Sequence, residues 1–229
     1  MKKLVLVISL FFIVGLAVFV SAKMTGSIPI NKGNYDVELT LSKGWNLILV
    51  GPLLGSDYNV IKENSDIKKE DIKVIYYYFR NGDRYLQMYP NREETDGYLR
   101  NAREKPEEAI YFMQSPVWIY SNKAGVLRYT KTDLPALNNI VLNKGWNFIT
   151  ITPEMEGISL NELKGSCNIK KAYLWDTLNQ QWGTILNLLD DKNILAKEGE
   201  IGNGLVIEVL EDCQFGGNEN LINPPAIPN

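Results

Sequence analysis

The octapeptide Leu41-Ser-Lys-Gly-Trp-Asn-Leu-Ile48 recurs as Leu142-Asn-Lys-Gly-Trp-Asn-Phe-Ile149. A proline follows at the same offset in both copies, Pro52 and Pro153. A second block aligns without gaps: Ile72, Lys73, Tyr76, Tyr78 and Tyr85 correspond to Ile169, Lys170, Tyr173, Trp175 and Trp182. A looser third block pairs Val117-Trp118-Ile119 with Leu205-Val206-Ile207. Blocks in the same order at similar separations predict two homologous modules in tandem, residues 34–133 and 136–215. The first is longer, mostly between its second and third blocks.

Each block reads as a β-hairpin. Val37, Leu39 and Leu41 alternate with Glu38 and Thr40, the period of a half-buried strand. Ser42-Lys43-Gly44 makes a turn, and Trp45–Val50 returns with apolar residues on both faces, the pattern of a central strand. Ile72–Phe79 and Arg84–Met88 flank Asn81-Gly82, a strong hairpin signal. The corresponding turn of the second module runs through Asp176 to Gln181. Val117–Tyr120 and Val126–Tyr129 form the third pair. Ser159-Leu-Asn-Glu162 fits a capping box, so one or two helical turns are expected per module. The expected fold is mainly β: two small antiparallel sandwich-like or barrel-like modules behind an N-terminal hydrophobic helix. Residues 91–108, rich in charge, read as a solvated loop or short exposed helix. Residues 214–229, with Gly216-Gly217 and three prolines, read as irregular, the flexible tail proper being 216–229.

Lys2 and Lys3 precede an uncharged run from Leu4 to Val20, followed by Val20-Ser21-Ala22. A basic start, an apolar run and small residues at a cleavage position make residues 1–22 a signal peptide ending before Lys23. The alternative is an uncleaved anchor, with residues 4–20 as the chain's one membrane contact. The expected location is extracytoplasmic, secreted or at the cell surface. Without residues 1–22 the chain holds 22 basic and 27 acidic residues, a net charge of −5. That acidity argues against nucleic acid, which needs clustered Lys and Arg. In an exported chain, the two cysteines Cys167 and Cys213 suggest a disulfide. Two buried free thiols or half of a metal site are the alternatives.

Lys-Gly-Trp-Asn-Leu-Ile followed by a proline resembles the GWNLI-type repeats of exported archaeal and bacterial surface proteins. Their pattern is a Gly-Trp-Asn strand, an aromatic-rich hairpin and a final strand after small residues. The chain follows it twice across residues 37–213. The resemblance implies a surface or secreted component and says little about activity.

The chain has no histidine, which removes Ser-His-Asp and Cys-His mechanisms and the commonest transition-metal ligand. No glycine-rich phosphate loop occurs. Ser65-Asp-Ile-Lys68, Tyr120-Ser-Asn122 and Lys131-Thr132-Asp133 loosely follow the penicillin-binding set, but the spacing and chain length are wrong for that domain. Glu93, Glu94, Asp190, Asp191, Glu208 and Glu211 are candidate carboxylates for glycoside hydrolysis, on segments that read as solvated surface. Asp190-Asp191 and Glu211-Asp212 are weak calcium candidates without an EF-hand pattern. No catalytic, cofactor or metal residue is therefore assigned, and no cofactor is expected.

Aromatic residues remain. Tyr85, Trp118 and Trp182 are the candidate binding residues, able to stack on a glycan or an envelope protein. Tyr78 and Trp175 read as cross-strand core pairs. Trp45 and Trp146 read as core. The expected function is a non-catalytic structural or recognition protein of the cell envelope. A glycan-binding protein and a carboxylate-dependent hydrolase are the alternatives.

Overall fold

The computed structural model describes residues 30–49, 61–102, 105, 108, 111–112, 114–135, 140–183 and 201–216. Residues 1–22, Pro52, Asp190, Asp191 and the tail beyond Gly216 lie outside them. Among the described residues the first half of the chain holds β1 (Ile30–Leu41), β2 (Gly44–Leu49), β3 (Ile72–Phe79), β4 (Arg84–Tyr89), β5 (Pro116–Ser121) and β6 (Gly125–Pro135). The second half holds β7 (Ile140–Leu142), β8 (Gly145–Thr150), β9 (Ile169–Asp176), β10 (Gln181–Trp182), β11 (Gly204–Val209) and β12 (Cys213–Phe215). The helices include α1 (Glu93–Ala102) and α2 (Leu160–Leu163), and Glu108, Tyr111, Phe112 and Gln114 are helical as well. All strand pairs are antiparallel. The protein is mainly β with little helix.

Two four-stranded sheets carry the same strand order by position in their half, β2-β5-β3-β4 and β8-β11-β9-β10. Each is backed by a two-stranded ribbon, β1-β6 in the first half and β7-β12 in the second. Between sheet and ribbon lies a core. Leu41, Ile48, Ile75, Tyr77, Ile119 and Leu127 belong to the first. Leu142, Ile149, Ala172, Leu205, Ile207 and Phe215 belong to the second. Alternation along each strand sends the other face outward, and the two outward faces pack on one another through Leu47, Tyr78, Trp118, Phe148 and Val206. The Cys167–Cys213 disulfide is present, its Cα atoms 5.1 Å apart. It ties the segment after α2 to β12.

The repeated octapeptide explains itself at atomic level. Gly44 and Gly145 have φ of +104° and +102°, a region that side chains penalise. Asn46 and Asn147 are fully buried. Asn46 Nδ2 donates to Ser42 O at 2.9 Å and Gly44 O at 3.0 Å, and its Oδ1 accepts from Ser42 N at 2.9 Å. Asn147 makes the same three bonds to Asn143 and Gly145, at 2.7, 3.1 and 3.0 Å. Both residues therefore serve a bend that satisfies its own backbone groups.

That bend corrects the hairpin expectation for the first and third blocks. β1 pairs with β6 and β2 with β5, so the chain crosses from ribbon to sheet at Gly44 and returns at Ser121–Gly125. Only the second block forms hairpins, β3-β4 and β9-β10. Their left-handed turn residues are Asp83 (φ +46°) and Gln180 (φ +51°) rather than a glycine. β2 and β8 are also edge strands of their sheets, not central ones. Both their faces are apolar because one meets a core and the other meets the opposite sheet.

The capping box is formed: Glu162 N donates to Ser159 Oγ at 3.2 Å and Ser159 N to Glu162 Oε2 at 2.9 Å. The charged stretch 91–108 is more than solvated surface. It supplies α1, whose Tyr98 stacks on Tyr77 at 5.8 Å, and the buried Glu108. Glu108 faces buried Arg80 at 3.6 Å and accepts from Asn81 Nδ2 at 2.5 Å and Tyr98 OH at 3.0 Å. Gln214 and Phe215, expected to be irregular, lie in β12, with Phe215 fully buried.

Candidate functional site

Where the two four-stranded sheets meet, the aromatic residues of the second block come together. Tyr76 and Tyr78 on β3 share one face of their sheet with Trp45 on β2, Trp118 on β5 and Tyr85 on β4, as i, i+2 spacing requires. Trp146, Val206, Tyr173, Trp175 and Trp182 occupy the matching positions opposite, with Phe148 beside them. The packing is herringbone. Trp118 meets Trp175 edge-on at 4.9 Å and 87°, and Trp182 at 5.5 Å and 79°. Trp175 and Trp182 are 5.3 Å apart at 82°, and Tyr78 stacks on Phe148 at 4.4 Å. Edge-to-face pairs add stabilisation beyond the area they bury.

Two clefts open along this seam. The first, about 390 Å³, is walled by Trp45, Tyr76, Tyr85, Trp118, Trp175 and Trp182. The second, about 460 Å³, is walled by Tyr78, Asp83, Tyr85, Trp146, Phe148, Tyr173, Trp182 and Val206. Replacing each wall residue of the first cleft by its aligned position in the other half gives Trp146, Tyr173, Trp182, Val206, Tyr78 and Tyr85. All six line the second cleft. The two linings thus correspond position by position. Tyr85 and Trp182 belong to both clefts and form the lip between them, 48% and 42% exposed.

Polar groups around the seam fasten the halves together. Trp175 Nε1 donates to Trp45 O at 2.9 Å. Gln180 grips the same residue, accepting from Trp45 N at 2.7 Å and donating to Trp45 O at 3.0 Å. From the other hairpin, Arg80 Nη1 donates to Val141 O at 2.9 Å, its guanidinium 3.8 Å over the Tyr111 ring. Tyr111 OH accepts from Phe148 N at 3.0 Å. Tyr78 OH donates to Asp83 Oδ1 at 2.6 Å. Burial pushes the Tyr85 hydroxyl above its ordinary titration range, and burial followed by the Asp83 bond does the same to Tyr78. Both stay neutral at physiological pH.

The three candidate binding residues thus border one cleft, with Trp118 almost buried at its base and Tyr85 and Trp182 at its lip. They do not form a flat platform, since Trp118 and Trp182 stand at 79°. Trp45 and Trp146, expected in the core, are half-buried cleft walls instead. Tyr78 is buried as expected, but Trp175 is only half-buried. The missed wall residues were signalled by their shared strand face with the candidates.

The other candidates lie elsewhere. Glu93 and Glu94 sit exposed on α1, with Glu94 3.5 Å from Arg84. Glu208 pairs with Lys170 at 2.9 Å, Glu211 is exposed, and Asp212 accepts from Lys144 N at 2.7 Å. Asp83 is the one carboxylate among the described residues lining either cleft. No group of three or more His, Cys, Asp or Glu among the described residues could hold a metal ion. Ser65 Oγ is buried and donates toward Ile67 O and Val126 O while accepting from Arg128 N, a structural role beside β6. No helix among the described residues is long and apolar enough to cross a membrane. No protein-family model, curated protein or solved structure matches the chain.

Proposed function

We propose that the chain is a non-catalytic extracytoplasmic recognition or structural protein of the cell envelope, built from a duplicated β module. Residues 1–22 act as its signal peptide or anchor. The correspondence of the two cleft linings carries this reading: duplication of one module, followed by face-to-face packing, yields paired aromatic clefts with a shared lip. Six aromatic rings around one opening suit contact with apolar or ring-bearing groups. The Cys167–Cys213 bond agrees with export to an oxidising compartment.

All five tryptophans line one cleft or the other, so intrinsic fluorescence is a direct reporter of occupancy. Titration with envelope polysaccharides and purified envelope proteins is expected to change that fluorescence for the native chain and not for Trp182→Ala. Silence across the panel, or an N-terminus at Met1 in a cytoplasmic fraction, would sink the reading. A glycan ligand is the second reading, favoured by the exposure of Tyr85 and Trp182 together with Asp83 at the second cleft. It requires the polysaccharide arm to respond.

A further inference from the structure

The first cleft is unusual in what it does not offer a ligand. Its six wall residues are all aromatic and none is charged. The Trp175 indole N–H is already spent on Trp45 O, and Gln180 holds both backbone groups of Trp45. A ligand rich in hydroxyl or amide donors would find the Tyr76 and Tyr85 hydroxyls as side-chain acceptors and would strand its remaining donors against ring faces, at a cost of roughly 1–3 kcal/mol each. The favoured occupant presents ring C–H surface and few donors. Proline does both, having no backbone N–H, and a proline-rich strand is already extended before it binds. Aromatic-lined grooves are the general receptors for such strands.

The chain supplies a segment of this chemistry. Asn223-Pro-Pro-Ala-Ile-Pro-Asn229 holds three prolines in seven residues, including Pro225-Ala-Ile-Pro228 in the P-x-x-P spacing. The described chain reaches Gly216, whose N–H donates to Leu163 O at 2.8 Å beside α2. Phe215 lies in the second core, on the inner face of the β8-β11-β9-β10 sheet, and the cleft lies on its outer face. Seven residues separate Gly216 from Pro224, a span of up to about 23 Å. Neighbouring layers pack about 10 Å apart, and the connection has to round the sheet edge within that span.

We infer that segment Pro224–Pro228 docks in the aromatic cleft of its own chain. This rests on reading the cleft as a recognition site, which the segment would then occupy until an external ligand displaces it. Binding within one chain wins over binding between copies because a short tether supplies an effective concentration of about 1 mM. An intrinsic affinity of only ~100 μM then leaves about nine-tenths of clefts filled.

The test compares the full chain with its Pro224→Ser/Pro225→Ser/Pro228→Ser variant by acrylamide quenching of tryptophan fluorescence. Folding is checked by matching far-UV circular dichroism. The variant is expected to quench roughly twofold more strongly, with red-shifted emission, as the clefts empty. A synthetic peptide of residues 220–229 at about 1 mM, the tethered concentration, should reverse the change. It should not do so when Trp182→Ala is added to the variant. Protection that grows with protein concentration would place the segment in a second copy and overturn docking within the chain. Equal quenching of native chain and variant would overturn it as well. If an envelope polysaccharide or protein then still quenches the native chain, the recognition reading survives that loss. If neither does, both fall.

Discussion

Asn46 and Ser42 exchange two hydrogen bonds of 2.9 Å across the bend that joins ribbon to sheet. Asn147 and Asn143 repeat the exchange in the second half. Each side chain is fully buried and satisfies three backbone groups. Asn46→Ala and Asn147→Ala are each expected to cost about 2–4 kcal/mol, since stranded buried groups lose more than the bond itself. Aspartate should rescue neither, because it lacks the Nδ2 donors. Urea denaturation with unchanged m-values checks this. A loss below about 0.5 kcal/mol would mean that water replaces the amide.

Gly44 and Gly145 share a backbone conformation but not a neighbourhood. A Cβ on Gly145 meets open space, whereas one on Gly44 runs into the Gln180 side chain. Gly145→Ala is expected to cost about 1–2 kcal/mol from its positive φ alone. Gly44→Ala should cost more, because Gln180 must also release Trp45. Adding Gln180→Ala should narrow the difference between the two glycine variants. Thermal denaturation of the single and double variants measures that coupling.

The sequence made the strands of the second block legible almost to the residue, because alternation and turn residues are local signals. Ile72–Phe79 emerged with its predicted bounds. Pairing was less legible. Gly44 marks a change of direction, but nothing local says whether the chain folds back on itself or crosses to another sheet. The two-faced apolar pattern of Trp45–Leu49 had the same ambiguity, since a facing sheet buries a strand as well as lateral neighbours do. Tyr85, Trp118 and Trp182 were visible as candidates by residue type. Their convergence with Trp45, Tyr76 and Trp175 depends on how the two sheets pack, which no short window of sequence contains. The buried pairing of Arg80 with Glu108 was hidden for the same reason, its carboxylate lying in a stretch that composition alone marks as surface.

Cys167 and Cys213 are 46 residues apart, and the bond between them closes a loop around β9, β10 and β11. Restricting the unfolded chain over that interval is worth about 4 kcal/mol in the loop-entropy account. The first half holds no cysteine. Reduction, or Cys167→Ser with Cys213→Ser, should therefore weaken the second half preferentially. Hydrogen exchange should show amides of β8, β9 and β11 losing protection while those of β3 and β5 keep most of theirs. Equal loss in both halves would show instead that the aromatic seam makes them a single cooperative unit.

Alkaline pH should unfold the protein through its tyrosines. Burial pushes the hydroxyls of Tyr77, Tyr78, Tyr85, Tyr98, Tyr111 and Tyr129 above their ordinary value of 10.0. The folded state therefore keeps protons that the unfolded chain releases. Above the unfolded value the native state binds more protons, so stability falls as pH rises. The contribution is fully present below pH 10 and is lost progressively toward the higher folded-state values. Four of these residues, Tyr77, Tyr98, Tyr111 and Tyr129, belong to or pack on the first core, and Tyr78 and Tyr85 line the seam. Phenolate absorbance should accordingly rise in two phases, first from exposed tyrosines and then in a cooperative step that coincides with loss of the β-sheet circular dichroism signal. Tyr129→Phe removes a buried hydroxyl without a partner among the described residues. It should move that second step to higher pH, and an unmoved step would show that Tyr129 ionisation plays no part in alkaline unfolding.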